Sequence, residues 1–150
     1  MRRIAVVTLA ALAAGLAAPR PAHATPTHRL WQAICTVESG GNPNAYNRKE
    51  QAAGIAQIRP VCLRDVNRIA RLRSLDERFT STDRNNPTIA RRMWALYLEH
   101  YGKAYARRTG RDPTSEVYAR IWNGGPEGWR KAGTRRYWQR VRTALDGSTR

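Results

Sequence analysis

The stretch Cys35-Thr-Val-Glu-Ser-Gly-Gly-Asn42 decides how this chain is read. It sets one carboxylate, Glu38, at the end of an apolar-faced segment and just before a Gly-Gly break. Upstream, Leu30, Ile34 and Val37 recur at helical spacing, flanked by Trp31 and Ala33, so a helix is predicted over 28–39. Thr27 is the expected N-cap, and Gly40 or Gly41 the expected stop. A glutamate in that position is half-surrounded by apolar groups and opens onto a cleft. Desolvation disfavours its charged form and should raise its pKa. A carboxyl that stays protonated near neutral pH can protonate a leaving-group oxygen, the step that glycoside cleavage requires. The plainer alternative is a solvated glutamate capped by nearby amides.

The N-terminal segment reads as an export signal. Arg2 and Arg3 supply a positive start, Ile4 to Ala18 an apolar run, and Ala22-His23-Ala24 a small-x-small cleavage site. The run is too short and too rich in alanine for a good membrane span, so an uncleaved anchor is the weaker reading and no stable membrane insertion is expected. Residues 1–24 are therefore set apart as a signal peptide, and 25–150 are taken as one domain with one modest core.

Loss of three arginines with the signal takes the formal charge from +16 to +13. Such a surplus favours an anionic partner. For an exported protein, periplasmic or secreted, the cell wall fits better than nucleic acid, and no basic stripe with interleaved aromatics appears. The two cysteines, Cys35 and Cys62, can pair in an oxidising compartment or stay as buried thiols. A bridge would tie the Glu38 helix to the segment after Gly54–Ile58. No His or Asp stands at ligand spacing from them, so neither a metal nor any other cofactor is expected. His28 and His100 have no Ser or Cys partner for a nucleophilic triad.

Further along, residues 40–58 are rich in Gly, Asn and Pro and predict a small hairpin, with Tyr46 and Ile55 to Ile58 as strand residues. Pro60 opens a helix through Arg71 with Val61, Val66, Ile69 and Ala70 inward. Residues 73–87 are polar and irregular. A helix from Asn86-Pro87 should stop at Gly102, and Asp112-Pro113 should start the next. That helix carries Val117, Tyr118, Ile121 and Trp122, and a last one spans about 134–145, leaving 146–150 as a tail. The fold class is mainly α with a small β-hairpin.

Three segments join Gly or Asn to a functional side chain: Glu38-Ser-Gly-Gly-Asn42, Gly54-Ile-Ala-Gln-Ile58 and Trp122-Asn-Gly-Gly-Pro126. Their order and spacing resemble the lysozyme-like superfamily. The first resembles the catalytic motif of SLT-type lytic transglycosylases, and the second the superfamily's Gly-x-x-Gln hairpin. Tyr97-Leu98 resembles the Tyr-Leu of a later helix. The run Tyr118-Ala-Arg-Ile-Trp-Asn-Gly-Gly-Pro126, with Tyr137-Trp138 after it, is similar to invertebrate-type lysozymes.

The resemblance implies a lysozyme-like α+β single domain acting on peptidoglycan glycan strands at the β-1,4 bond between N-acetylmuramic acid and N-acetylglucosamine. Glu38 becomes the general acid/base. Gln57 and Asn123 line opposite walls of a saccharide cleft, and Ser39 braces the Glu38 end or contacts sugar. Where such transglycosylases often carry a Tyr hydroxyl near the Glu, this chain has Trp122; Tyr118, one turn earlier, is the expected substitute.

A hydrolase also needs a second carboxylate, and Glu50 lies where invertebrate-type lysozymes place an Asp. It equally suits a charged surface turn, and Asp65 is the next candidate. A lytic transglycosylase needs none, because the substrate's own 6-hydroxyl attacks and gives a 1,6-anhydro product. Of the five tryptophans, Trp122 and Trp129 flank the third segment and are favoured for stacking on sugar. A wall-binding module without catalysis is the remaining alternative. A partner in a secretion apparatus is compatible with these features but is not identified by them.

Overall fold

The computed structural model describes residues 26–147, so the segment read as an export signal lies outside the described residues. Five helices and one hairpin make up the frame of the described residues. They are α1 (His28–Ser39), β1 (Tyr46–Asn47), β2 (Ala52–Ala53), α2 (Pro60–Leu72), α3 (Pro87–Thr109), α4 (Ser115–Gly124) and α5 (Thr134–Gly147). Short 3₁₀ turns at Thr82–Asn85 and Gly128–Arg130 precede α3 and α5.

Helix α1 begins where its capping chemistry predicts, with the Thr27 side chain accepting from the Leu30 N–H at 3.2 Å. Its end is also as expected. Gly40 takes a left-handed φ of 64°, which glycine adopts without strain, and its N–H returns to the Thr36 carbonyl.

The core gathers around α3. Met93, Trp94, Leu96, Tyr97 and Leu98 are buried along it, against Leu30 and Ile34 of α1, Ile69 of α2, Ile121 of α4 and Val141 of α5. Burying each such large apolar side chain contributes roughly 1.5–3 kcal/mol. Helix α5 packs on both α1 and α4, so the C-terminal helix locks the two helix ends that face the cleft.

The structure corrects five expectations about these elements. Helix α3 does not stop at Gly102 but continues to Thr109. Gly102 is a packing residue, because a Cβ there would stand 2.6 Å from Cε1 of Tyr118. Helix α4 is capped by Thr114 rather than by Asp112. The hairpin pairs Tyr46 with Ala53 and Asn47 with Ala52, while Ile55 to Gln57 form a turn closed by an Ala53–Ile58 bridge. Val61 is exposed, not inward, whereas Val66, Ile69 and Ala70 are buried as expected. Helix α5 also runs past Leu145 to Gly147.

Candidate active site

Packing α1, the hairpin, α2 and α4 around Tyr97 leaves an open cleft of about 850 Å³. Glu38 lies in it with Trp122, Asn123, Gly125 and Pro126 on the α4 side. Asn47, Glu50, Ala52, Gln57 and Ile58 supply the hairpin wall, and residues from Arg59 to Arg71 the α2 wall. Tyr97 is buried at its floor and meets the Trp122 ring edge-on, with centroids 5.8 Å apart. The size suits a site that encloses several rings of a ligand.

Glu38 is half-buried at the last turn of α1. Burial pushes its carboxyl above the ordinary glutamate value of 4.5. Four groups pull in the opposite direction without reversing the shift: the Tyr137 hydroxyl, the cations of Arg140 and Arg59, and the Trp122 indole. The Tyr137 hydroxyl donates to Oε1 of Glu38 at 2.7 Å. Arg140 of the same helix donates to the Val37 carbonyl at 2.9 Å. Helix α5 thus both holds the end of α1 and orients its carboxyl.

This contact corrects one expectation. Tyr118 does not stand in for the missing hydroxyl. It is buried against Gly102, and its phenol is raised to about 12 by burial and by Glu99 and Asp112, away from Glu38. Tyr137 takes that position from a different helix. The Tyr137-Trp138 pair is visible in the sequence, but no spacing rule connects it to a carboxyl 99 residues earlier.

Ser39 is not among the residues that line the cleft. Its hydroxyl donates to the Ile55 carbonyl at 2.7 Å and pins the hairpin turn to the end of α1. Gln57 lines the cleft in a left-handed backbone conformation, φ 50°, that non-glycine residues seldom adopt. Its Nε2 donates to the carbonyls of Gly54 at 3.0 Å and Ala45 at 3.2 Å, which holds the turn in that shape. Asn123 is exposed at the rim. The loop after it is fixed by Lys131, which donates to the Gly124 carbonyl at 2.6 Å, and by Thr134, which donates to the Gly128 carbonyl.

Beneath the hairpin lies a functional support that no local pattern in the sequence singles out. Arg84, from the stretch read as irregular, is buried and donates from Nη1 to the carbonyls of Gln51 at 2.8 Å and Ile58 at 2.9 Å. Its Nε and Nη2 donate to the Ser81 carbonyl and hydroxyl. Gly54 rests directly on it: φ is +80°, and a Cβ there would stand 1.7 Å from the Arg84 carbonyl oxygen.

Both candidates for a second carboxylate border the cleft. Glu50 is exposed and pairs with Arg59 at 3.4 Å. Asp65 accepts from the Tyr101 hydroxyl and pairs with Arg68 at 2.7 Å. Trp129 lies outside this cleft; it packs edge-on against Tyr105 in a separate, smaller pocket.

The Cys35–Cys62 bridge is not formed. Both are free thiols, and burial lifts each to about 12, with Glu38 adding to the shift at Cys35 and Asp65 at Cys62. The role assigned to the bridge falls instead to Ser39, Tyr137 and Arg140. Among the described residues no group of His, Cys, Asp or Glu could hold a metal ion, and no helix is long and apolar enough to cross a membrane.

Known proteins are similar to this chain in sequence and fold. The family described as Transglycosylase SLT domain matches residues 23–144. A lysozyme of Magallana gigas is 32% identical over 120 residues, covering 79% of this chain and 80% of that protein. Lysozyme 1 of Crassostrea virginica is 32% identical over 110 residues and covers 72% of this chain, which spans only 54% of that relative. Among solved structures, a chain from the complex of Aeromonas hydrophila PliI with Meretrix lusoria lysozyme superposes with a TM-score of 0.63. It is 26% identical, with 78% of this chain and 88% of that chain covered. By the family match over residues 23–144 and by these relatives, the chain belongs to the lysozyme-like superfamily, in the family of SLT transglycosylase domains.

Proposed function

We propose that this protein cleaves peptidoglycan glycan strands at the β-1,4 bond between N-acetylmuramic acid and N-acetylglucosamine, with Glu38 as general acid/base. The observation that carries the reading is the half-buried Glu38 carboxyl, raised by burial and held by Tyr137, in a cleft of saccharide size. A carboxyl that keeps its proton near neutral pH can deliver it to the glycosidic oxygen as the bond to the anomeric carbon breaks.

Hydrolysis is the preferred course. It is supported by the third sequence segment and by relatives that are named lysozymes. In that course Glu50, on the same cleft, assists the attacking water. Lytic transglycosylation is the second reading. It is favoured by the pairing of Glu50 with Arg59 and of Asp65 with Arg68 and Tyr101, which leaves neither carboxylate unengaged. We further propose export, with cleavage of residues 1–24 and release of a single catalytic domain into the periplasm or the medium.

The test is mass spectrometry of soluble products from purified peptidoglycan, treated with the protein and with Glu38→Gln. Reducing muropeptides made only by the unsubstituted protein mean hydrolysis. Products lighter by one water mean 1,6-anhydro ends. No Glu38-dependent product of either kind removes the enzymatic reading and leaves a wall-binding module. The mass of the exported protein reads the cleavage site.

A further inference from the structure

The α2 wall of the cleft carries more positive charge than the chemistry at Glu38 requires. Arg64, Arg68 and Arg71 follow one another at i, i+4 and i+7, which puts them on one face of the helix, and all three line the cleft. From Arg64 to Arg71 the helix rises by roughly 10 Å. Arg68 is engaged by Asp65 and Tyr101, and Arg59, at the N-cap of α2, by Glu50. Arg64 and Arg71 are exposed to the cleft and have no acidic partner among the described residues. Two cations kept unneutralised along one wall of a binding cleft repel each other and their neighbours, and a ligand that brings its own anions relieves that repulsion.

We propose that Arg64 and Arg71 bind carboxylates of the peptide stems carried by the glycan strand, so that the cleft reads the stems as well as the sugars. This rests on the reading of the cleft as a glycan-cleaving site. Stem peptides hang from the lactyl groups of alternate sugars and carry free carboxylates on side chains and termini. A strand lying past Glu38 presents them to one side at intervals, and α2 is the wall with guanidinium groups spaced along it. Guanidinium suits this role because its planar fork can hold a carboxylate through two parallel hydrogen bonds. A phosphate polymer of the wall would also meet these cations, but stem carboxylates are attached to the very strand held at Glu38 and need no second binding event.

The experiment measures binding in the uncleaving Glu38→Gln protein, with and without Arg64→Gln and Arg71→Gln together. Neither arginine touches Glu38 or the core, and circular dichroism checks that the fold is kept. The probes are soluble glycan strands with stems, the same strands stripped of stems by an amidase, and strands whose stem carboxylates are amidated. The arginine-intact protein should bind stem-bearing strands about tenfold more tightly than the double variant, a difference of the size expected from one or two charge-assisted contacts. Stripped and amidated strands should be bound equally by both. Equal loss on all three probes would overturn the proposal by making the arginines sugar or general electrostatic contacts. No loss on any probe, or no binding of stem-bearing strands by either protein, would overturn it as well. Cleavage of stem-bearing strands by the unsubstituted protein is scored separately. Its absence counts against the enzymatic reading and leaves the binding result intact.

Discussion

The Tyr137 hydroxyl donates to Oε1 of Glu38 at 2.7 Å, joining the last helix to the end of the first. A donor to a carboxylate favours its charged form, so Tyr137 holds down a pKa that burial lifts. Burial and this hydrogen bond together set the pH range over which Glu38 keeps its proton.

Removing that hydroxyl with Tyr137→Phe should raise the Glu38 pKa further. The proton is then kept to higher pH, so the alkaline limb of the activity profile moves upward. Stability should fall by about 1–2 kcal/mol through the lost hydrogen bond. Initial rates on soluble strands across pH, together with a urea titration, read both effects. An alkaline limb that stays in place or moves downward contradicts the assignment.

Glu38→Gln should lower kcat by about 10²–10⁴, the usual contribution of a positioned general acid. Its effect on stability has a definite sign. The folded-state pKa of Glu38 is raised above 4.5, so the stability linked to its proton is present below pH 4.5 and is lost as pH rises through the folded value. The glutamine, uncharged throughout, escapes that loss. Thermal melts should show the variant gaining on the parent protein at pH 7 relative to pH 4.

Arg84→Met should loosen the hairpin wall. The substitution removes donors to the buried carbonyls of Gln51 and Ile58 and costs about 3 kcal/mol. Hydrogen exchange should rise first at the amides of Ala53 and Ile58, which bond to each other's carbonyls. Gly54→Ala should damage the same wall more severely, because the added methyl would overlap the Arg84 backbone at a positive φ.

The two thiols should react slowly with a disulfide reagent at pH 8 in the native protein, since burial holds both at about 12. In denaturant without reductant, both should react promptly. A count of zero thiols after unfolding would contradict the free thiols and mean that Cys35 and Cys62 are bridged.

Much of the frame was legible in the chain because it depends on local chemistry. Thr27 caps α1, Gly40 ends it, and Asn86-Pro87 opens α3, each through bonds to residues within one turn. The apolar spacing of α1, α4 and α5 marks their buried faces for the same reason. The three Gly- and Asn-containing segments were visible too, and their resemblance gave the superfamily. What misled was local chemistry overruled from a distance. Gly102 looks like a helix stop but lies inside α3, because Tyr118 fills the space where a side chain would stand. Asp112-Pro113 looks like a helix start, but the helix is capped two residues later, at Thr114.

The sequence by itself determined the helices, the hairpin and the presence of one acid at a helix end. Only the tertiary structure decided what surrounds that acid. Tyr137 reaches Glu38, Arg84 props the hairpin, and Arg64 and Arg71 stand along the cleft without acidic partners among the described residues. Capping and periodicity act within a few residues and leave their mark on neighbouring letters. Burial and hydrogen bonding between distant segments depend on how the helices pack, and no short stretch of the chain records that.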